Sequence, residues 1–246
     1  MSSRISAVGL AVLTCAAATV GVSPRSSALP PVVGPPPQLV SVNPSDTTPN
    51  VANGRVQALA QVGDRIIVGG TFTDVTDAKS TVLTGHKYLF AYNRLTGLID
   101  PGFNPIVDAQ VTALEPSTDG TAVFVGGYFK NVNGLARTYL VKLDAATGAT
   151  VAAYTAQTNG IVTDLDAVGD RLFVIGWFSK IRGFVRGGLA ETNQSKGTIA
   201  ALDLPLVTTR TAWGSGVRTV NVTSNAERLV IGGNITSVGG VARDQV

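Results

Sequence analysis

The stretch Ile66-Ile67-Val68-Gly69-Gly70-Thr71-Phe72-Thr73-Asp74-Val75 returns three times along the chain. Its copies are Val123-Phe124-Val125-Gly126-Gly127-Tyr128-Phe129-Lys130-Asn131-Val132, Leu172-Phe173-Val174-Ile175-Gly176-Trp177-Phe178-Ser179-Lys180-Ile181 and Leu229-Val230-Ile231-Gly232-Gly233-Asn234-Ile235-Thr236-Ser237-Val238. Gly70, Gly127, Gly176 and Gly233 align, so the steps are 57, 49 and 57 residues. A short β-branched run that closes on glycine reads as a strand meeting either a bulge or a sheet so near that a Cβ would clash. Recurrence at this period points to stacked supersecondary units.

Working outward, a second strand signal precedes each copy: Val56-Gln57-Ala58-Leu59, Val111-Thr112-Ala113-Leu114, Val162-Thr163-Asp164-Leu165 and Val217-Arg218-Thr219-Val220. Gly63-Asp64, Asp119-Gly120 and Gly169-Asp170 separate the two runs, as hairpins require. Gly-x-x-Arg follows as Gly134 to Arg137, Gly183 to Arg186 and Gly240 to Arg243. A third strand and turn come next, clearest as Tyr88 to Asn93 with Thr96-Gly97 and Tyr139 to Asp144 with Thr147-Gly148. A lone aromatic, Phe103, Tyr154 or Trp213, closes each unit.

About four short strands per unit, apolar on both faces, cannot hide their surface without a stacked neighbour. Such units form the blades of a β-propeller. The expected fold is therefore all-β: a propeller-like array of four-stranded antiparallel blades spanning 51–246, about three complete and a partial fourth, unclosed. Closed propellers carry roughly four to eight blades, so the rest of a longer chain is expected to supply the missing blades, with a partner as the less economical alternative. No sustained helical period stands outside the N-terminal segment.

Gly69-Gly70-Thr71-Phe72 with Val75, the Gly-x-x-Arg triplets and Leu143-Asp144-Ala145-Ala146-Thr147-Gly148 resemble the delta-60 repeat, a propeller-type repeat of secreted bacterial proteins. The resemblance covers roughly residues 51–246. It implies the fold and an exported protein, and it leaves the task open. The first unit departs from the pattern with Asp77 for Gly, Ser80 for Arg and about six extra residues before Leu89. The third has an irregular stretch, Ala190 to Gly197, ahead of Ile199-Ala200-Ala201-Leu202-Asp203.

Residues 1–28 read as a secretory signal, with Arg4, an apolar run from Ile5 to Val22 and the small residues Ser26-Ser27-Ala28 at the cleavage site. A retained anchor is the rival reading, but the run is interrupted by Ser6, Gly9, Thr14, Thr19 and Gly21. Residues 29–50 form a Pro-rich linker; eight of the twelve prolines lie at or before Pro49. Cleavage after Ala28 removes Arg4 and Arg25 from 19 basic residues and none of the 16 acidic ones, leaving 17 − 16 = +1. A mature chain so nearly neutral has no excess with which to seek nucleic acid. It also loses Cys15, the only cysteine, so packing and backbone pairing must hold it together. No membrane span is expected after cleavage. With only 14% charged residues, a disordered charged tail and a coiled coil are excluded.

The residue types that carry chemistry are sparse. His86 is the only imidazole and reads as a solvated loop residue between strands. Ser117-Thr118-Asp119-Gly120-Thr121 reads as a hairpin turn, and Asp74 and Asp77 as turn or edge residues, not calcium ligands. Arg137, Arg186 and Arg243 recur in register, which suits ties to loop carbonyls between adjacent sheets. Arg65 and Arg171 read as hairpin-turn residues. Phe72, Phe129 and Phe178 also recur and belong to the core. Trp177 and Trp213 are the better candidates for a stacking surface, but packing between blades is the expected role of both. Three triplets, at Asn193, Asn221 and Asn234, match the glycosylation acceptor. No catalytic, cofactor-binding or metal-ligating residue is nominated. The expected function is a secreted, non-catalytic binding or scaffolding module at the cell surface, with a protein or glycan ligand. The alternative is part of a secreted propeller hydrolase or lyase whose catalytic residues lie outside this chain.

Overall fold

The computed structural model describes residues 48–78, 82–83, 86–202, 204, 206–208, 217–222, 228–233 and 235–242. The expected leader, nearly all of the expected linker, and Ser80, Trp213, Asn234 and Arg243 lie outside the described residues. All regular structure described is antiparallel β.

Sheet I pairs an inner strand Val56–Val62 with a middle strand Arg65–Gly70, and that with an outer strand Leu89–Asn93. Sheet II repeats the arrangement with Val111–Pro116, Ala122–Gly127 and Leu140–Asp144. Sheet III does so with Ile161–Val168, Arg171–Trp177 and Leu189–Asn193. In sheet IV the inner strand Val217–Val222 pairs with the middle strand Leu229–Gly233. The fourth strand of sheets I to III is reduced to one bridged pair: Tyr92 with Ile99, Leu143 with Thr150 and Thr192 with Ile199. A small flap accompanies each sheet, as in the hairpins Asn131–Val132 with Leu135–Ala136 and Lys180–Ile181 with Phe184–Val185.

The core lies between sheets. Ile67, Leu89 and Phe103 of the first unit pack with Val111, Leu114, Val125 and Phe129 of the second. Phe124, Leu140 and Tyr154 of the second pack with Val162, Leu165, Leu172 and Phe178 of the third. Sheets II and III thus bury both faces by lying between two others, the propeller-like arrangement, here unclosed.

The two glycines of the repeat do different jobs. A Cβ on Gly69 would lie 2.5 Å from Val111 Cγ1 of the next sheet, and one on Gly126 equally near Val162 Cγ1. A Cβ on Gly70, Gly127 or Gly176 would instead strike a carbonyl oxygen in its own sheet, that of Arg55, Gln110 or Ile161. Those carbonyls are crowded inward because every inner strand carries a bulge there, between Val56 and Ala58, Val111 and Ala113, Val162 and Asp164, and Val217 and Thr219.

The Asp/Asn-x-x-Thr-Gly ending also has a local cause. The side-chain oxygens of Asn93 and Asp144 accept backbone N–H bonds from residues two and three ahead. Gly97 and Gly148 then turn at φ 67° and 72°. The third unit corrects the sequence reading. Its outer strand is Leu189–Asn193, which runs into the stretch taken as irregular, and Asn193 and Gly197 make the same turn. Ile199 supplies only the bridged pair. The pattern was broken by Glu191, which is buried because Arg171 grips both its oxygens, at 2.7 and 3.0 Å.

Candidate functional site

The bulge decides where polar side chains point. At each bulge one residue is left over: Gln57, Thr112 and Thr163 in sheets I, II and III. Together with Tyr128 and Trp177 these three line a groove of about 330 Å³. Tyr128 and Trp177 also share one repeat position, the residue after the second glycine, where the first unit has Thr71. Two positions of the repeat therefore build the whole groove. Their backbones are equivalent; the side chains vary at the aromatic position and in the first unit, where Gln57 stands in place of the threonine shared by the next two.

The Thr112 hydroxyl donates to Val162 O at 2.6 Å, which fastens sheet II to sheet III at the groove and leaves the oxygen's lone pairs as acceptors. The Gln57 amide and the Tyr128 phenol add donors. Trp177 is 37% exposed. It therefore stands at the surface, not in the packing between sheets. Among the described residues no charged side chain lines the groove. It offers aromatic faces and neutral hydrogen-bonding groups, which suit a sugar ring or an uncharged peptide segment.

A larger cleft of about 820 Å³ opens at the other end of the inner hairpins, beside Asp64, Arg65, Asp100 and Asp144. Its charges are already spent. Arg65 donates to Asp100. Burial raises Asp100, but the bonds from Arg65 and the Gly102 amide outweigh it and hold the carboxyl below its ordinary range. Bonds from the Thr147 hydroxyl and the Thr147 and Ala146 amides do the same for Asp144. Arg65 and Arg171 accordingly open their middle strands as ion-pair partners, and Arg171 also stacks 4.8 Å above Phe173.

The remaining expected sites divide. Ser117 to Thr121 form the hairpin turn, with Asp119 accepting from Ser117 and Thr121. Asp74 accepts from Asn53 and Thr73, a turn role. Arg137 and Arg186 each make a bond within their own flap. Each donates to the carbonyl just before it, Ala136 O and Val185 O, and so braces its own flap. Asn193 is committed to its turn. Among the described residues no group of His, Cys, Asp and Glu stands close enough to hold a metal ion.

His86 overturns its reading as a solvated residue. It is 7% exposed, with Nδ1 buried and without a hydrogen-bond partner among the described residues. Burial lowers its pKa below the ordinary 6.5. The folded chain therefore binds fewer protons here than the unfolded one, so this stability is present above that value and lost as pH falls through and below it. Denaturant midpoints should drop between about pH 7 and about pH 5, and His86→Gln should flatten that slope. An unchanged slope would place the sensitivity elsewhere.

Glu115 is a further group the sequence reading missed. It is half-buried, takes a bond from the Ala167 amide, and lies near Asp166 and Asp164 of the next inner strand. It does not line the groove.

No protein-family model matches the chain, and no curated protein matches it in sequence. Similar solved structures include the WD40 repeats of RRP9, 13% identical with a TM-score of 0.47, over 77% of this chain and 49% of that one. The Mitotic Checkpoint Complex contains another, 16% identical with a TM-score of 0.44, over 72% and 46%. The computationally designed Ika4 protein is 16% identical with a TM-score of 0.44, over 77% of this chain and 92% of Ika4. The chain thus spans about half the length of the two natural chains and nearly all of the designed one.

Proposed function

We propose that this protein is a secreted, non-catalytic binding module of the cell surface whose ligand, a glycan or a protein segment, sits in the groove of Gln57, Thr112, Thr163, Tyr128 and Trp177. One observation carries the reading: the position after the second glycine keeps its backbone from unit to unit while its side chain changes from Thr71 to Tyr128 to Trp177, and the last two line the groove. A structural residue repeats with its unit, as Phe72, Phe129 and Phe178 do, whereas a binding residue has reason to differ. The expected leader and linker support export and presentation away from the surface. The neutral lining favours uncharged ligands over nucleic acid or phosphorylated ones.

The test is a glycan array and a pull-down from cell-surface extracts, repeated with Trp177→Ala and Tyr128→Ala. Trp177→Ala should weaken binding by roughly 10-fold to 100-fold, the range for losing one stacking aromatic, with the folded CD spectrum unchanged. A ligand held equally well by both variants would remove the groove from the proposal.

A further inference from the structure

In the second and third flaps one strand is rooted and the other stands out. Val132 and Ile181 are fully buried in the cores between sheets. Leu135, which pairs with Val132, is nevertheless 47% exposed, and Phe184, which pairs with Ile181, is 55% exposed. The next residues, Ala136 and Val185, are exposed as well, Val185 at 69%. Sheets II and III are covered on both faces, so these tips do not belong to an open end of the array. The fourth flap repeats the exposed apolar pair as Val241-Ala242. Successive residues of a strand point to opposite sides. A flat protein partner would cover one of Phe184 and Val185 and leave the other in water, whereas a medium that surrounds the tip covers both.

Positive charge gathers at the same two flaps. Residues 128–139 and 177–188 hold Lys130, Arg137, Lys180, Arg182 and Arg186 and no acidic residue, in a chain with 16 acidic ones. Lys130, Lys180 and Arg182 are exposed. The repeat does not demand this, since the first unit has Thr73 at the position of Lys130 and Asp74 at that of Lys180. Asp108 stands at the root of the second flap, where its carboxylate accepts from the Lys130 and Asn131 amides. Asn159 takes that place under the third flap, whose root is therefore uncharged.

We propose that the second and third flaps rest on an anionic lipid surface, with Leu135, Phe184 and Val185 dipping into the interface and Lys130, Lys180 and Arg182 held at the depth of the headgroups. The two halves of the contact need each other. A few apolar side chains hold a bilayer only marginally, as a single acyl chain does, and the basic residues add an attraction that salt screens. The contact is peripheral and reversible, and no segment crosses the bilayer. The inference is independent of the groove and its ligand.

Co-sedimentation with vesicles decides it, using equal parts phosphatidylcholine and phosphatidylglycerol against phosphatidylcholine alone. The protein should favour the anionic vesicles and lose that preference as salt is raised. Replacing the exposed tip by Phe184→Ser with Val185→Ser should weaken binding by roughly tenfold or more, with the folded CD spectrum unchanged. Lys130→Gln and Lys180→Gln should each weaken it by roughly fivefold. Phe184→Trp should add fluorescence that shifts to the blue on vesicles and is quenched by lipid brominated in its acyl chains. Equal affinity for both vesicles overturns the proposal. So does binding that survives loss of the apolar tip, or a tip that brominated lipid leaves unquenched, since charge alone would then hold the protein at the headgroups. Retention on the soluble polyanion heparin with no binding to vesicles would overturn it in favour of an acidic macromolecule.

Discussion

Gly126→Ala is expected to destabilise the protein by about 2–3 kcal/mol, and Gly127→Ala by at least as much, read as lower denaturant midpoints at unchanged slope. Neighbouring glycines give similar losses for different reasons, and a second substitution separates them. At Gly126 the obstacle is Val162 Cγ1 of the next sheet, 2.5 Å from the new Cβ. Val162→Ala removes that atom, so the double variant should recover more than ~1 kcal/mol relative to the sum of the two single changes. At Gly127 the obstacle is the backbone carbonyl of Gln110, held in place by the bulge. No side-chain substitution clears it. Sheet III already shows that the first position accepts a side chain when its surroundings suit: Ile175 is fully buried there among Phe173 and Leu189. The second position is glycine in all four units. Equal rescue of both variants by Val162→Ala, or of neither, would sink this account of the pair.

What was legible in the sequence follows from the same contrast. A glycine that meets a neighbouring sheet and a glycine that meets a bulge both leave a mark in the spacing, and so do the paired strands and their turns. The third unit was misread at its outer strand because Glu191 and Thr192 look polar in isolation. Their burial depends on Arg171, twenty residues away, and on the Tyr154 hydroxyl, 3.2 Å from Thr192 Oγ1. The fourth strand was overestimated, since a single bridged pair leaves the same apolar mark as a short ladder. The groove was hidden for a geometric reason. Gln57, Thr112 and Thr163 resemble the polar half of an alternating strand, and only the bulge turns them outward together with Tyr128 and Trp177. His86 was misjudged because burial of a loop side chain depends on what folds over it, which carries no periodicity.

Glu115→Gln should stabilise the protein at neutral and alkaline pH, and should remove a pH dependence that runs opposite to that of His86. Burial first, then the nearby Asp166 and Asp164, push the Glu115 carboxyl from 4.5 up to about 8, against the opposing bond from the Ala167 amide. The folded chain therefore holds a proton that the unfolded chain has released. Its stability is intact below about pH 4.5 and declines as pH rises toward about pH 8, beyond which the loss is complete. Each displaced pKa unit corresponds to ~1.4 kcal/mol, and solvent reaching the half-buried carboxyl brings the total to about 3 kcal/mol. Glutamine keeps an acceptor for the Ala167 amide without the charge, so nearly the whole amount should return near pH 8. Glu115→Ala should recover less, because it leaves that amide without its acceptor and a hole between sheets II and III. Urea titrations at intervals from about pH 5 to about pH 9 measure the difference between parent and variant. A gap that widens with rising pH and then levels off is the expected signature. A constant gap would mean that Glu115 is ionised throughout, and its partner would then have to be a cation and not the two aspartates.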